Sequence, residues 1–356
     1  MSGESGKKTE RPKTVLITGC TPGGIGSALM NEFWSSYGPN AGRYNVFCTL
    51  RDMNCYYPAT HPIQLKNLNW VPLDVTDQDS IDECLRLFKE KSGGDELDIL
   101  INNAGKGYSM PLLDSDLNQA RKIFDVNYFG ALAVTQAFAP LIIKAKGRIV
   151  NISSVAQFAP VPWIGVYNSS KAALGMFSDT LRLEMAPFGV KVINVVTGGV
   201  ESKMNDNNIK GVIAEGSFYA PSKDIIERMI AGETSLKHQS DQEAYAKKVV
   251  KHITSSNPSA QFFAGKQSTS LWLLDTFTWH TIWDWVMPGM TGLRELKAKR
   301  IPIEQVEKEE RERLEREREV AAEAAAIEAA KEAKRKAFPP LRYVLTQAEP
   351  HSEEDA

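Results

Sequence analysis

Cysteine is scarce in this chain of 356 residues: there are four, Cys20, Cys48, Cys55 and Cys84, all in the first quarter. They form no CxxC pair and no Cys/His cluster, so no metal site is expected. So few cysteines do not make a disulfide scaffold, and reduced thiols in a cytoplasmic protein are the expectation. An excess of one charge is missing too. Lys and Arg number 42 and Asp and Glu 44, a net charge of −2, which offers no general basic surface to nucleic acid. The opening MSGESGKKTERPK lacks the apolar core of a secretory signal. No internal repeat is visible.

What is present is a large apolar fraction, 42%, enough for a substantial core. Short apolar runs alternate with helix-like segments: TVLITG (14–19), YNVFCTL (44–50), LNWVPLDV (68–75), LDILINNAG (97–105), GRIVNISS (147–154) and VKVINVVTGG (190–199). That alternation predicts βαβ units and a doubly wound parallel sheet of Rossmann type, covered on both faces. Composition divides the chain into a disordered tail (1–12), an α/β domain (13–265), an aromatic-rich extension (266–300), a charged helix (301–337) and a second tail (338–356).

TVLITGCTPGGIGSALMNEF runs from a strand into a helix through Gly19, Gly23, Gly24 and Gly26. Glycines there let the backbone turn sharply and approach a pyrophosphate, and the helix N-terminus beyond presents free N–H groups to the anion. Thr21 and Ile25 fall inside the same loop. The second strand ends at Leu50, followed by Arg51 and Asp52. An acid at that end would favour NAD(H). A guanidinium grips a 2′-phosphate instead, so the expected cofactor is NADPH/NADP+, with Asp52 open as a competing partner for Arg51.

In VYNSSKAALG, Tyr167 precedes Lys171 by four residues. On a helix the two heads serve one small volume. A free phenol, with a pKa of about 10, is a weak acid near neutrality, and a neighbouring ammonium is expected to lower it. Taken alone, the pair also fits a half-exposed Tyr and a solvated Lys.

Taken in order, TGCTPGGIG (18–26), LDV (73–75), NNAG (102–105), VNYFG (126–130), NISS (151–154), YNSSK (167–171) and TGGVES (197–202) resemble the short-chain dehydrogenase/reductases. The resemblance covers roughly 14–265. It implies a single Rossmann-type domain and a catalytic set of Asn127, Ser154, Tyr167 and Lys171. By the same resemblance Asp74 contacts adenine, Asn103 and Ala104 line the cofactor channel, and Val200 and Ser202 lie at the carboxamide, with Tyr167 and Lys171 touching the cofactor as well. The implied chemistry is reduction of a ketone, with Tyr167 as proton donor and Asn127 positioning a water that leads to Lys171. Three departures stand out. The glycine loop has one extra residue, Thr197-Gly198 replaces the usual Pro-Gly, and Ser202 stands for the usual Thr.

Residues 203–235 include Met204, Ile209, Val212, Ile213, Phe218 and Tyr219 and suggest, with Trp163, a bulky apolar pocket or ordinary helix packing. LWLLDTFTWHTIWDWVM (271–287) holds four of the seven Trp. It is shorter than the roughly 20 residues of a spanning helix and carries two acids. Peripheral membrane contact, packing on the main domain and packing on a second subunit all fit it. With GCTPGGIG and the ending WDWVMPGMTGL, the layout resembles the fungal NADPH-dependent 1-acyldihydroxyacetone-phosphate reductases. That implies a lipid-like ketone and a cytoplasmic enzyme, peripheral on endoplasmic reticulum or lipid droplets. A ketoreductase of fungal secondary metabolism, acting on a polyketide or terpenoid, and a non-catalytic dinucleotide sensor are the alternatives. The family's habit of association makes a homodimer an expectation. The stretch 303–337 is nearly all strong helix formers with too few apolar residues for a coiled-coil seam.

Overall fold

The computed structural model describes residues 11–34, 42–53, 68–202, 208–231, 239–294 and 303–337. The expected tails, Cys55 and Met204 lie outside the described residues, apart from Arg11 and Pro12. By compactness the chain divides into residues 1–299 and 300–356.

The strands are β1 (Lys13–Ile17), β2 (Tyr44–Leu50), β3 (Leu68–Pro72), β4 (Ile99–Asn102), β5 (Tyr108–Ser109), β6 (Arg148–Ser154), β7 (Lys191–Thr197), β8 (Ile209–Lys210) and β9 (Gln261–Ala264). The helices are α1 (Ile25–Trp34), α2 (Gln78–Ser92), α3 (Leu117–Phe124), α4 (Gly130–Ala145), α5 (Gly165–Met185), α6 (Lys223–Ile230), α7 (Gln242–Ile253), α8 (Ser268–Phe277), α9 (Trp283–Met290) and α10 (Ile303–Ala337). Seven strands form one sheet in the order β3-β2-β1-β4-β6-β7-β9, every pair parallel. Among the described residues, β5 and β8 stand apart, as a two-stranded parallel ladder.

Continuous apolar runs make these strands because both faces are covered. On one face Val15, Ile17, Val46, Ile101, Val150 and Val195 meet α1 and α7 through Leu29, Phe33, Tyr245 and Val249. On the other, Leu16, Phe47, Leu100 and Ile149 meet Phe88, Val134, Phe138 and Ile142. The helix run 117–145 is long and apolar enough to span a membrane by length and composition. Its Val134, Phe138, Leu141 and Ile142 are instead buried against this sheet. Between α3 and α4 lies one π-helical turn, Asp125–Phe129, the kind of widening that often marks a functional position.

Strand order reverses between β1 and β4, so the crevice of the fold lies at the carboxyl ends of these strands. A parallel sheet delivers every such end to the same edge. Gly19, Arg51, Asp74, Asn103, Ser154 and Thr197 therefore share one rim although 178 positions separate the first from the last. The β9 strand, QFFA, extends the sheet beyond the six strands legible in the sequence and ends at Ala264.

α10 is a 35-residue helix, about 52 Å long at 1.5 Å per residue. Its described side chains are exposed, with an i,i+4 ion pair between Arg313 and Glu317 at 3.6 Å.

Candidate active site

The turn after β1 forms the first wall. Gly23 has φ +79°, a left-handed conformation that glycine adopts without a Cβ clash. Gly24 is absent from that conformation, which separates the two glycines of the lengthened loop. Gly24 N–H donates to Thr21 O at 3.0 Å, and α1 starts at Ile25. At Gly26 a Cβ would collide with Gly19 O and come within 2.6 Å of Asn103 Nδ2. The neighbours explain why nothing gives. Asn103 Nδ2 donates to Thr18 O and Gly19 O, each at 2.9 Å. Thr18 Oγ1 accepts from the backbone N–H of Asn103 and of Ala104, also at 2.9 Å. This braced backbone cradle, opening on a helix N-terminus, fits a pyrophosphate.

The second wall is electrostatic. Leu50 is buried at the end of β2 and Arg51 is exposed beyond it. Burial opposes ionisation of Asp74, but hydrogen bonds from Thr76 N–H (3.0 Å) and Oγ1 (2.7 Å), with the charges of Arg51 and Lys106, hold its carboxyl below the ordinary value. Lys106 is lowered by burial and by the positive charge of Arg51. Arg51, Asp74 and Lys106 thus share one neighbourhood. Lys106 is a member that sequence spacing does not reveal, because β2, β3 and β4 are joined only by the sheet.

The third wall gathers two hydroxyls and a buried amine. Ser154 closes β6, in register with Thr197 on β7. Its hydroxyl accepts Ala156 N–H at 3.2 Å and lies close enough to the phenol of Tyr167 to favour its ionised form. Tyr167 and Lys171 lie in the opening turns of α5. Lys171 is 4% exposed. Its Nζ donates to Ile152 O at 3.0 Å and stands 5.8 Å from the centroid of the Tyr167 ring. Burial pulls this ammonium down to about 8.

The acidity of Tyr167 differs from the sequence expectation. Burial pushes the phenol up, and the nearby Ser154 hydroxyl pulls it back only in part. Lys171 does not offset this desolvation, because its head is turned to the main-chain carbonyl of Ile152.

Asn127 is buried beside this wall. Its Nδ2 donates to Lys106 O and Ser170 Oγ, both at 2.9 Å, and its Oδ1 accepts Lys106 N–H at 2.8 Å. Both donors are taken, so the side chain ties the loop after β4 to α5 rather than presenting a free amide to water.

Val200 is buried and bridges Ser240, and Ser202 is half-buried at the edge of the described segment. Thr197, where the resemblance predicts proline, shares a 2.7 Å hydrogen bond with Tyr245 of α7. Burial pushes the Tyr245 phenol far up. On the substrate side Ile213 is buried with Tyr108, Met110 and Trp163, and Ile209 and Tyr219 pack against them. Val212 and Phe218 face outward at 73% and 52% exposure, so only part of the expected apolar pocket is inward. The extension packs on the main domain: Trp283 and Met287 are buried against Ala159, among Phe158, Val161, Leu271 and Leu274. Its other face leaves Leu273, Phe277, Trp279 and Trp285 exposed. Cys20, Cys48 and Cys84 are free and buried. Among the described residues no cluster could hold a metal ion.

Residues 13–212 match the short chain dehydrogenase family. The short-chain dehydrogenase virD of Hypocrea virens is 36% identical over 293 residues, covering 81% of this chain and 96% of its own. The NADPH-dependent 1-acyldihydroxyacetone phosphate reductase of Schizosaccharomyces pombe is 38% identical, over 61% of this chain and 71% of its own. A crystal structure of a short-chain dehydrogenase from Streptomyces avermitilis superposes with a TM-score of 0.62 at 23% identity, covering 79% and 99% of the two chains. With the fold, the glycine cradle and these likenesses together, the chain belongs to the short-chain dehydrogenase family.

Proposed function

We propose that the protein is an NADP(H)-dependent reductase that converts a lipid-like ketone to a secondary alcohol. The observation that carries this is the Ser154 hydroxyl beside the Tyr167 phenol, with Lys171 buried behind them at the same rim as the glycine cradle. Two adjacent hydroxyls can bind one carbonyl oxygen. Tyr167 holds the proton that this oxygen needs, a general acid contribution of about 10²–10⁴ in rate. Burial keeps the phenol protonated at neutral pH. Lys171, shifted to about 8, exchanges protons readily near neutrality. When bound, a nicotinamide cofactor supplies the hydride.

The cradle of Gly19, Thr21, Gly23, Gly24, Ile25 and Gly26 fits the pyrophosphate of such a cofactor. Arg51 and Lys106, converging beside Asp74, favour the additional phosphate of NADPH. The Schizosaccharomyces pombe relative supports 1-acyldihydroxyacetone phosphate as the kind of substrate. A ketoreductase of fungal secondary metabolism stays in view because the Hypocrea virens relative, named only a dehydrogenase, covers more of the chain. A non-catalytic sensor would not need the Ser154, Tyr167 and Lys171 set.

Exposed Phe277, Trp279 and Trp285 support peripheral contact with a membrane surface, and with it a cytoplasmic site on endoplasmic reticulum or lipid droplets. Met176 and Leu183, exposed one above the other on α5, support a homodimer. The deciding experiment is NADPH and NADH consumption against 1-palmitoyl-dihydroxyacetone phosphate and a set of aromatic polyketide ketones. NADPH-linked reduction of the lipid is the expected result. Turnover of polyketides alone overturns the lipid reading, and no turnover with either overturns the ketone reading.

A further inference from the structure

Thirteen positions separate Ser154 from Tyr167, and the connector between them holds an unusual residue. Trp163 has φ +70°. For a bulky side chain this is a strained conformation that persists only where the surroundings over-determine it. Trp163 is held from three directions. Its main-chain oxygen accepts Met110 N–H at 2.6 Å. Its ring meets Tyr219 edge-on, with centroids 5.6 Å apart. Its Nε1 donates to Thr291 O at 2.9 Å, a buried bond that reaches 128 positions along the chain to the end of α9. Thr291 is itself fixed, its Oγ1 donating to Met287 O at 2.7 Å.

The same helix grips the connector a second time. Trp283 and Met287 are buried against Ala159, with Phe158 and Val161 packed beside them. Val161 O in turn accepts Asn168 Nδ2 at 2.8 Å, one residue after Tyr167. The connector is therefore fastened near its start and near its end by one element of the extension.

We propose that the C-terminal extension is a clamp that positions the Ser154–Tyr167 pair, with Trp163 as its anchoring residue. Trp163 and Met287 are positioning residues: they act through the connector. The clamp stands on packing and hydrogen bonds alone, and its consequence for turnover rests on the function proposed above.

The test uses the full-length chain with Trp163→Phe, which keeps a ring and removes the donor, and Met287→Ala, which loosens the second grip and leaves Trp163 intact. Amide hydrogen exchange over residues 155–166 is expected to quicken by about tenfold or more in both variants, with β1 and β6 unchanged. Ketone reduction with NADPH is expected to show kcat lower by about tenfold to a hundredfold, the scale of a misplaced catalytic group. KM for the ketone in Met287→Ala, and the affinity of both variants for NADPH, read by its fluorescence on binding, stay within about twofold. Unchanged exchange over 155–166 in both variants overturns the clamp, as does a normal kcat in a variant of an active enzyme. If Trp163→Phe fails to fold, Met287→Ala carries both readings. Quickened exchange in a protein whose wild type reduces no ketone supports the clamp and overturns the reaction.

Discussion

Replacing Lys171 with methionine should stabilise the protein while abolishing its activity. Lys171 is 4% exposed, and burial lowers its pKa from 10.5 to about 8. At about 1.4 kcal/mol per pH unit, that fall corresponds to about 3 kcal/mol by which the folded state disfavours the charged form. Methionine fills a similar volume without a charge. It also leaves Ile152 O without its 3.0 Å donor, a loss of about 1–1.5 kcal/mol. The net gain expected at neutral pH is about 2 kcal/mol. The sign follows from proton linkage. Below about pH 8 folded and unfolded chains both carry the proton, and the folded state bears the whole cost. Between about 8 and 10.5 the unfolded chain holds a proton that the folded one has shed, so wild-type stability rises with pH. The advantage of the variant should therefore be largest at pH 7 and close to about zero by pH 10. Urea unfolding of both proteins without cofactor, at pH 7 and pH 10, measures it. A wild type at least as stable as the variant at pH 7, or a gap equal at both pH values, refutes the reasoning.

Three further outcomes are expected. Tyr167→Phe should remove ketone reduction, by about 10²-fold or more, and leave NADPH affinity nearly intact; near-normal turnover in a steady-state assay would contradict the assigned role. Gly26→Ala places a Cβ within 2.6 Å of Asn103 Nδ2 and should weaken NADPH binding in a fluorescence titration by about tenfold or more, through an overpacking cost of about 1–3 kcal/mol; an unchanged titration would show that the cradle yields. Arg51→Ala should reduce the preference for NADPH over NADH and raise the Asp74 carboxyl toward its ordinary value, because Arg51 is one of the charges holding it down. Cofactor kinetics and an NMR titration of Asp74 check the two halves separately.

Much of this molecule is written locally. The six apolar runs lie at β1, β2, β3, β4, β6 and β7, and YNVFCTL coincides with β2, because a strand buried on both faces must be apolar along its length. The glycine loop is equally legible, since close approach of backbone to backbone excludes every side chain. The four-residue spacing of Tyr167 and Lys171 is read correctly as one helix face. The limits appear where an answer depends on what lies opposite. The short QFFA of β9 has too few residues to show a period, and its partner β7 makes it a strand. Lys106 joins Arg51 and Asp74 only because parallel strands bring their ends to one rim.

The order of the motifs, the residue types and their spacing were enough by themselves to determine the family, six strands of the sheet and the glycine turn after the first of them, for these are written in local runs of residues. Tertiary structure alone decided how the side chains of the crevice behave. It set the phenol of Tyr167 upward rather than downward, committed the Asn127 amide to Lys106 and Ser170, and turned half of the aromatic extension inward onto the connector before α5. The physical reason is that desolvation and hydrogen-bond satisfaction depend on every atom packed around a group, and most of those atoms come from distant parts of the chain.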